Sequence, residues 1–172
     1  NADAPGIQKA RSLGFEEKDI VVITKKDFPD ELERGEVMLE ECHKRGIEWV
    51  GQYGWLPKTP EDFVEAYKNR IVNQHPGPIR PGSLDFGGRG MMGTAVHAAV
   101  LWFSKNVGRE FPFTEAIAQR VGLEYDSGAV LLLEQVPILP RDSVTTLQER
   151  VLHAEHQVQV ETILAFTENR VK

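Results

Sequence analysis

The chain has 172 residues, with 20 basic against 26 acidic side chains and a net charge of −6 when histidine is neutral. That length fits one domain with a sizeable core, and 41% hydrophobic with 27% charged residues is an ordinary globular composition. There is no basic block, no apolar run of bilayer length and no secretory leader pattern, which argues against a nucleic-acid surface, a membrane span and export. The single cysteine, Cys42, excludes an intrachain disulfide and suits a reducing, cytoplasmic setting.

In chain order, residues 5–13 read as a helix stopped by Gly14, and the β-branched run 19–24 as a short buried strand. Residues 31–44 have helical composition and end before Gly46; residues 47–51 form a second strand candidate that leads into the loop 52–60. Thr59 is placed to cap a helix with Pro60 at its first position, running to about Lys68. A third strand over 70–73 is followed by the Gly/Pro-rich segment 76–93 and a helix over 94–105. Strands over 114–121 and 129–136 and a long helix over 145–166 complete the chain. Strands alternating with helices at this spacing predict an α/β fold with a mainly parallel sheet and helices on both faces.

Chemistry concentrates in Asn73-Gln74-His75-Pro76. Side chains two apart on a strand point the same way, so a carboxamide and an imidazole converge before Pro76 breaks the strand. Downstream, Tyr125-Asp126-Ser127-Gly128 puts an acid in a turn ahead of an apolar run. An amide donor can stabilise an oxyanion, an imidazole can move protons, and a carboxylate can orient and charge the imidazole. An ionised Asp126, if near His75, would raise the imidazole pKa and favour its protonated form. Among the remaining candidates, His97 reads as a satisfied core histidine, Trp102 and Phe103 as core, and His153 and His156 as partly buried structural residues. Cys42 with His43 lacks a second pair at zinc spacing, so no metal is expected.

Asn73-x-His75-Pro76, the Gly-rich stretch after it and Tyr125-Asp126-Ser127-Gly128-Ala129-Val130 together resemble the formyltransferase family that uses formyltetrahydrofolate. The likeness is greatest to its glycinamide ribonucleotide branch, and Asn1-Ala2-Asp3-Ala4-Pro5-Gly6 and Glu155-His156 extend it over most of the chain. The resemblance implies a three-layer Rossmann-like fold and one catalytic domain over residues 1–172. It implies formyl transfer to a primary amine, with Asn73, His75 and Asp126 catalytic and formyltetrahydrofolate as donor. Tyr53, Trp55, Leu56 and Pro57 fall where the family's folate loop lies, and they are expected to form an ordered wall of the donor pocket. Arg80 and Arg89, on the Gly-rich segment 80–93 that departs from the relatives, are candidates for a phosphate or carboxylate.

In the family a strand, a phosphate loop and a helix precede the segment that resembles Asn1 to Gly6. The expectation is therefore an N-terminally incomplete domain, with the upstream part removed, disordered or not included, or else a smaller natural variant completed by a partner chain, and a poor catalyst for glycinamide ribonucleotide on its own. Three other readings stay open at this point. They are hydrolysis of formyltetrahydrofolate, formylation of an amino-sugar nucleotide, and a folate- or nucleotide-binding remnant without activity. The small-molecule amine acceptor and the oligomeric state, including a homo-oligomer, are not fixed by the residues.

Overall fold

The structure is a computed structural model that describes residues 3–79, 84–107, 111–168 and 170. It comprises two compact units, one of Asn1–Glu48 with Thr59–Tyr67 and the other of Trp49–Lys58 with Lys68–Lys172.

The smaller unit is helical: α1 (Pro5–Ser12), α2 (Glu31–Lys44) and α3 (Glu61–Ala66). Pro5 opens α1, where its missing N–H costs nothing, and Asp30 caps α2 by accepting the Glu33 amide at 3.0 Å. At Gly35, α2 meets α3 so closely that a β-carbon would stand 2.1 Å from Asp62 Oδ1. Phe63 and Tyr67 stack with ring centroids 5.1 Å apart, and the Tyr67 hydroxyl donates to the Ile47 carbonyl at 2.9 Å.

Two local expectations fail in this unit. The run 19–24 is no strand: a 3-10 turn at Glu17–Asp19 leads into irregular backbone, and Val21 and Val22 are exposed. β-branched residues favour extended backbone, but a strand exists only where a ladder satisfies its N–H and C=O groups, and this run makes none among the described residues. Further on, Pro60 takes the cap position itself, so α3 starts at Glu61, one residue late, and stops at Ala66.

The larger unit holds a four-stranded sheet in the order β1 (Val50–Gln52), β2 (Ile71–His75), β3 (Phe113–Arg120), β4 (Val130–Pro137). The sheet is mixed. β1 and β2 are parallel, whereas β2–β3 and β3–β4 are antiparallel. Alternation of strands and helices does not set strand direction. The loop between β3 and β4 is also too short for the crossover of about a dozen residues that a parallel return needs.

Val72, Ala116, Ala118 and Val136 form a core with Val96, Val100 and Leu101 of α4 (Thr94–Asn106) and Leu147, Val151, Ala154 and Val158 of α5 (Val144–Thr167). α5 begins with a capping box between Ser143 and Thr146, and Asp142 beside it takes two N–H bonds from Arg150 at 2.7 and 2.8 Å. Trp102, expected in the core, is exposed on α4; Phe103 is the residue that packs inward. His153 and His156 are exposed rather than partly buried, because the α5 contact stripe runs through 147, 151, 154 and 158. Gln74, on the core side of β2, donates its amide to the Glu155 carbonyl of α5, and burial pushes the Glu155 carboxyl up to about 7.

Candidate active site

β2 alternates its side chains, so Asn73 and His75 leave the sheet on the face opposite Val72. Directly across the antiparallel ladder stand Gln119, opposite Asn73, and Ile117, opposite His75. Pro76 then ends the strand, which leaves His75 at its last position.

Asp126 reaches the same face from the β3–β4 loop. That loop doubles back tightly: a β-carbon on Gly128 would stand 1.7 Å from the Arg120 carbonyl oxygen, so only glycine fits there. Asp126 itself has φ 51, a left-handed conformation that aspartate tolerates better than most residues. One carboxylate oxygen accepts the Gln119 side-chain amide at 2.7 Å, and the other accepts the Gly88 backbone N–H at 2.9 Å. The first oxygen lies 3.6 Å from His75 Nδ1, too far for a direct hydrogen bond but close enough for strong Coulombic interaction. His75 Nε2 lies 3.0 Å from the Phe86 carbonyl oxygen, which can only accept.

Asn73 is half-buried, and its side-chain amide makes no hydrogen bond among the described residues, so both its donors are available to a ligand. The three residues singled out in the sequence thus gather on one side of one sheet, where Gln119, the ladder partner of Asn73, donates to Asp126. They do not simply line the carboxyl ends of parallel strands, since Asp126 arrives from an antiparallel hairpin.

Asp126 raises the His75 pKa as expected, but burial decides the net shift. Burial pushes the His75 pKa below its ordinary value, against the opposing pull of Asp126, the Phe86 carbonyl and Asp85. With the ring 3% exposed, the lost hydration of the imidazolium outweighs the neighbouring carboxylate. His97, at the first turn of α4, is buried as expected but not satisfied, because its Nδ1 has no hydrogen-bond partner among the described residues. Burial and the nearby His75 bring its pKa down to about 4.

The loop 53–57 is more open than a ligand-covering wall would be. Tyr53 and Leu56 are 45% and 59% exposed and Pro57 is exposed, while Trp55 is half-buried and its buried indole N–H has no acceptor among the described residues. The Tyr53 ring folds over the Gly51 backbone, where a β-carbon would meet it at 2.6 Å. Lys58, at the loop's end, approaches Glu124 of the Asp126 loop at 4.0 Å. Arg89 is exposed, and Arg80 lies outside the described residues. No cluster of metal-ligating side chains occurs among the described residues.

Sequence reasoning passed over Gln119 and the turn at residues 86–88. Gln119 sits in β3, where the cross-strand register brings it to the Asp126 side of the sheet. The glycines at 87 and 88 bring this backbone up against the protein's own carboxylate, Asp126.

Fold and site together describe an α/β domain whose sheet carries an amide, an imidazole and a carboxylate on one face, beside a core formed on the other. The profile described as "Formyl transferase" matches residues 2–163. The chain belongs to the formyl transferase family. It is 33% identical over 172 residues to the chloroplastic phosphoribosylglycinamide formyltransferase of Arabidopsis thaliana, covering 99% of this chain and 54% of that protein. It is 30% identical to the protein of the same name from Vigna unguiculata, covering 99% of this chain and 50% of that one. The chain therefore spans about half the length of these curated relatives. Among solved structures, glycinamide ribonucleotide transformylase 1 from Symbiobacterium toebii superposes with a TM-score of 0.81 at 26% identity, over 100% of this chain and 73% of that one. The Rossmann-like formyltransferase fold is thereby established, with a mixed sheet.

Proposed function

We propose that the protein transfers a formyl group from formyltetrahydrofolate to the primary amine of phosphoribosylglycinamide, a step of purine biosynthesis. The observation that carries this reading is the gathering of Asn73, His75 and Asp126 on one sheet face of a formyl transferase family chain. We read residues 1–172 as one formyltransferase domain, supported by the family match over 2–163.

In the proposed reaction the amine attacks the formyl carbon, and negative charge develops on the formyl oxygen. The free Asn73 amide donates to that oxyanion, a term that matters because it acts where charge appears. His75 in its protonated form adds positive charge and passes a proton to the departing folate nitrogen. Asp126 favours that protonated form and receives the proton shed by the attacking amine, directly or through water. No metal enters these steps. Trp55, with an unpartnered buried indole N–H, and the exposed Tyr53, Leu56 and Pro57 supply a surface for the pteridine, aromatic faces beside a polar edge. Arg89, with Arg80, is proposed to meet the phosphate of the acceptor. The compartment is read as a reducing one, the cytoplasm from the lone Cys42, although the two relatives above are named chloroplastic. No helix among the described residues is long and apolar enough to cross a membrane.

Turnover of formyltetrahydrofolate, measured with phosphoribosylglycinamide, with amino-sugar nucleotides and with no amine, tests the reading. Product formation only with phosphoribosylglycinamide is expected. Equal folate turnover without any amine would make the protein a hydrolase, and no turnover at all would leave a binding module.

A further inference from the structure

Residues 85–88 touch both members of the His75–Asp126 pair through backbone atoms. We propose that this turn is a positioning brace for the pair, and that Gly87 is the residue whose missing side chain allows one turn to hold both partners. The inference rests on reading His75 and Asp126 as the acid–base pair.

The turn is anchored before it touches either partner. The Phe86 N–H donates to the Pro78 carbonyl at 2.8 Å, Asp85 Oδ1 accepts the Gly87 N–H at 2.9 Å, and Ile79 bridges to Asp85. The Phe86 ring is buried in the core edge-on to Phe103 of α4, with centroids 5.9 Å apart. Phe86 therefore offers its carbonyl from a fixed position, and that carbonyl lies 3.0 Å from His75 Nε2. Two residues on, the Gly88 N–H donates to Asp126 Oδ2 at 2.9 Å, from a φ of +92 that glycine adopts without strain. Between them a β-carbon on Gly87 would stand 2.5 Å from Ile79 Cγ2 and 2.9 Å from Asp126 Cβ. The turn thus lies against Asp126 with no room for a methyl group.

A consequence for proton traffic follows. A carbonyl oxygen can only accept, so His75 Nε2 keeps its hydrogen in both the neutral and the charged ring. All exchange of protons with substrate or water then occurs at Nδ1, the nitrogen 3.6 Å from Asp126. The groups that bear electrostatically on this ring are Asp126 from the β3–β4 loop, Asp85 from the turn and His97 from α4. Among these, the two carboxylates favour a proton on Nδ1 and a charged His97 opposes it.

Ring-nitrogen spectra of protein labelled with 15N-histidine read the tautomer directly, with His75 assigned by the loss of its signals in His75→Gln. Expected is a neutral ring protonated on Nε2, with titration confined to Nδ1. A neutral His75 carrying its proton on Nδ1 overturns the brace. In Gly87→Ala the turn and Asp126 must part, so kcat should fall by about tenfold to a hundredfold, the usual cost of a displacement near 1 Å. KM for the formyl donor should stay within about twofold, since ground-state contacts to the donor are untouched. The His75 titration should move to lower pH as the carboxylate and carbonyl recede. Gly6→Ala, at an open position of α1, should change none of these. Gly87→Ala with the kcat and the His75 titration of the unsubstituted protein overturns the proposal. Should Gly87→Ala fail to fold, the tautomer of the unsubstituted protein decides alone. That spectrum needs no turnover, so loss of the formyl-transfer reading and loss of the brace are distinguishable.

Discussion

Two stretches of the larger unit carry candidate ligand-facing residues, and they are built in opposite ways. Around His75, both carboxylate oxygens of Asp126 are held by the protein, one by Gln119 and the other by Gly88, and the Phe86 carbonyl stands behind the imidazole. Along residues 53–57, Tyr53 and Leu56 stand out in solvent and the Trp55 N–H has no partner among the described residues. The difference teaches which kind of work each stretch suits. Groups that must stabilise developing charge need preorganised partners, because reorganisation during reaction costs the energy they supply. Groups that grip a ligand need unoccupied surface. Substitutions near His75 should therefore act on kcat, and substitutions in the loop on KM.

The largest effect is expected at Asn73, whose side chain is the one free donor of the three-residue constellation. Asn73→Ala should lower kcat by about a hundredfold to a thousandfold, as loss of a single oxyanion donor does, with little change in KM. Steady-state kinetics on the folded variant checks this, and a KM effect with unchanged kcat would move Asn73 into the ground-state binding surface.

Asp126→Asn comes next, with kcat at neutral pH down about a hundredfold, at the low end of acid–base contributions. Its sign in pH is definite. Asp126 pushes the His75 pKa up while burial pushes it down, so removing the charge leaves burial less opposed. The His75 pKa should fall further, and the limb of the kcat profile that reports imidazolium should move to lower pH. A shift to higher pH would contradict the charge arrangement around the ring.

Gln119→Leu should cost about tenfold in kcat, the rate equivalent of ~1.4 kcal/mol, close to the lower bound for a hydrogen bond to a charged group. Gln119→Glu should be worse, because two carboxylates would then meet where an amide now donates at 2.7 Å. If both variants matched the unsubstituted enzyme, Asp126 would be held by the Gly88 amide alone.

The same contrast explains what could be read from the residues alone. Asn73 and His75 were legible because strand periodicity puts i and i+2 on one face, whatever the surrounding fold. Asp126 was legible as a turn acid, but its meeting with His75 came from resemblance, since no local rule folds a hairpin loop back over its own sheet. Gln119 was illegible, because its role depends on the β2–β3 register that sets it opposite Asn73. The run 19–24 shows the reverse error. Its composition is that of a buried strand, yet pairing decides strands, and the composition carries no information about a partner. The balance at His75 also needed coordinates: a carboxylate neighbour can be guessed from spacing, but a ring 3% exposed cannot.

The smallest effect is expected in the open loop and separates its two roles, grip and support. Trp55 is half-buried, so its ring packs on the protein while its N–H is buried without an acceptor. Burying about half of a large aromatic side chain is worth on the order of 1 kcal/mol, so its loss from a donor surface should raise KM for formyltetrahydrofolate about fivefold. Trp55→Ala should show that rise with kcat within about twofold. Trp55→Phe, which keeps the apolar ring and removes the donor, divides the effect. If Phe restores the KM, the surface matters and the N–H does not; if Phe behaves like Ala, the indole N–H reaches a polar atom of the donor. An unchanged KM in both variants would assign residues 53–57 to structure alone, and would move the donor site away from the only loop of this chain that pairs exposed aromatic surface with an unsatisfied buried donor among the described residues.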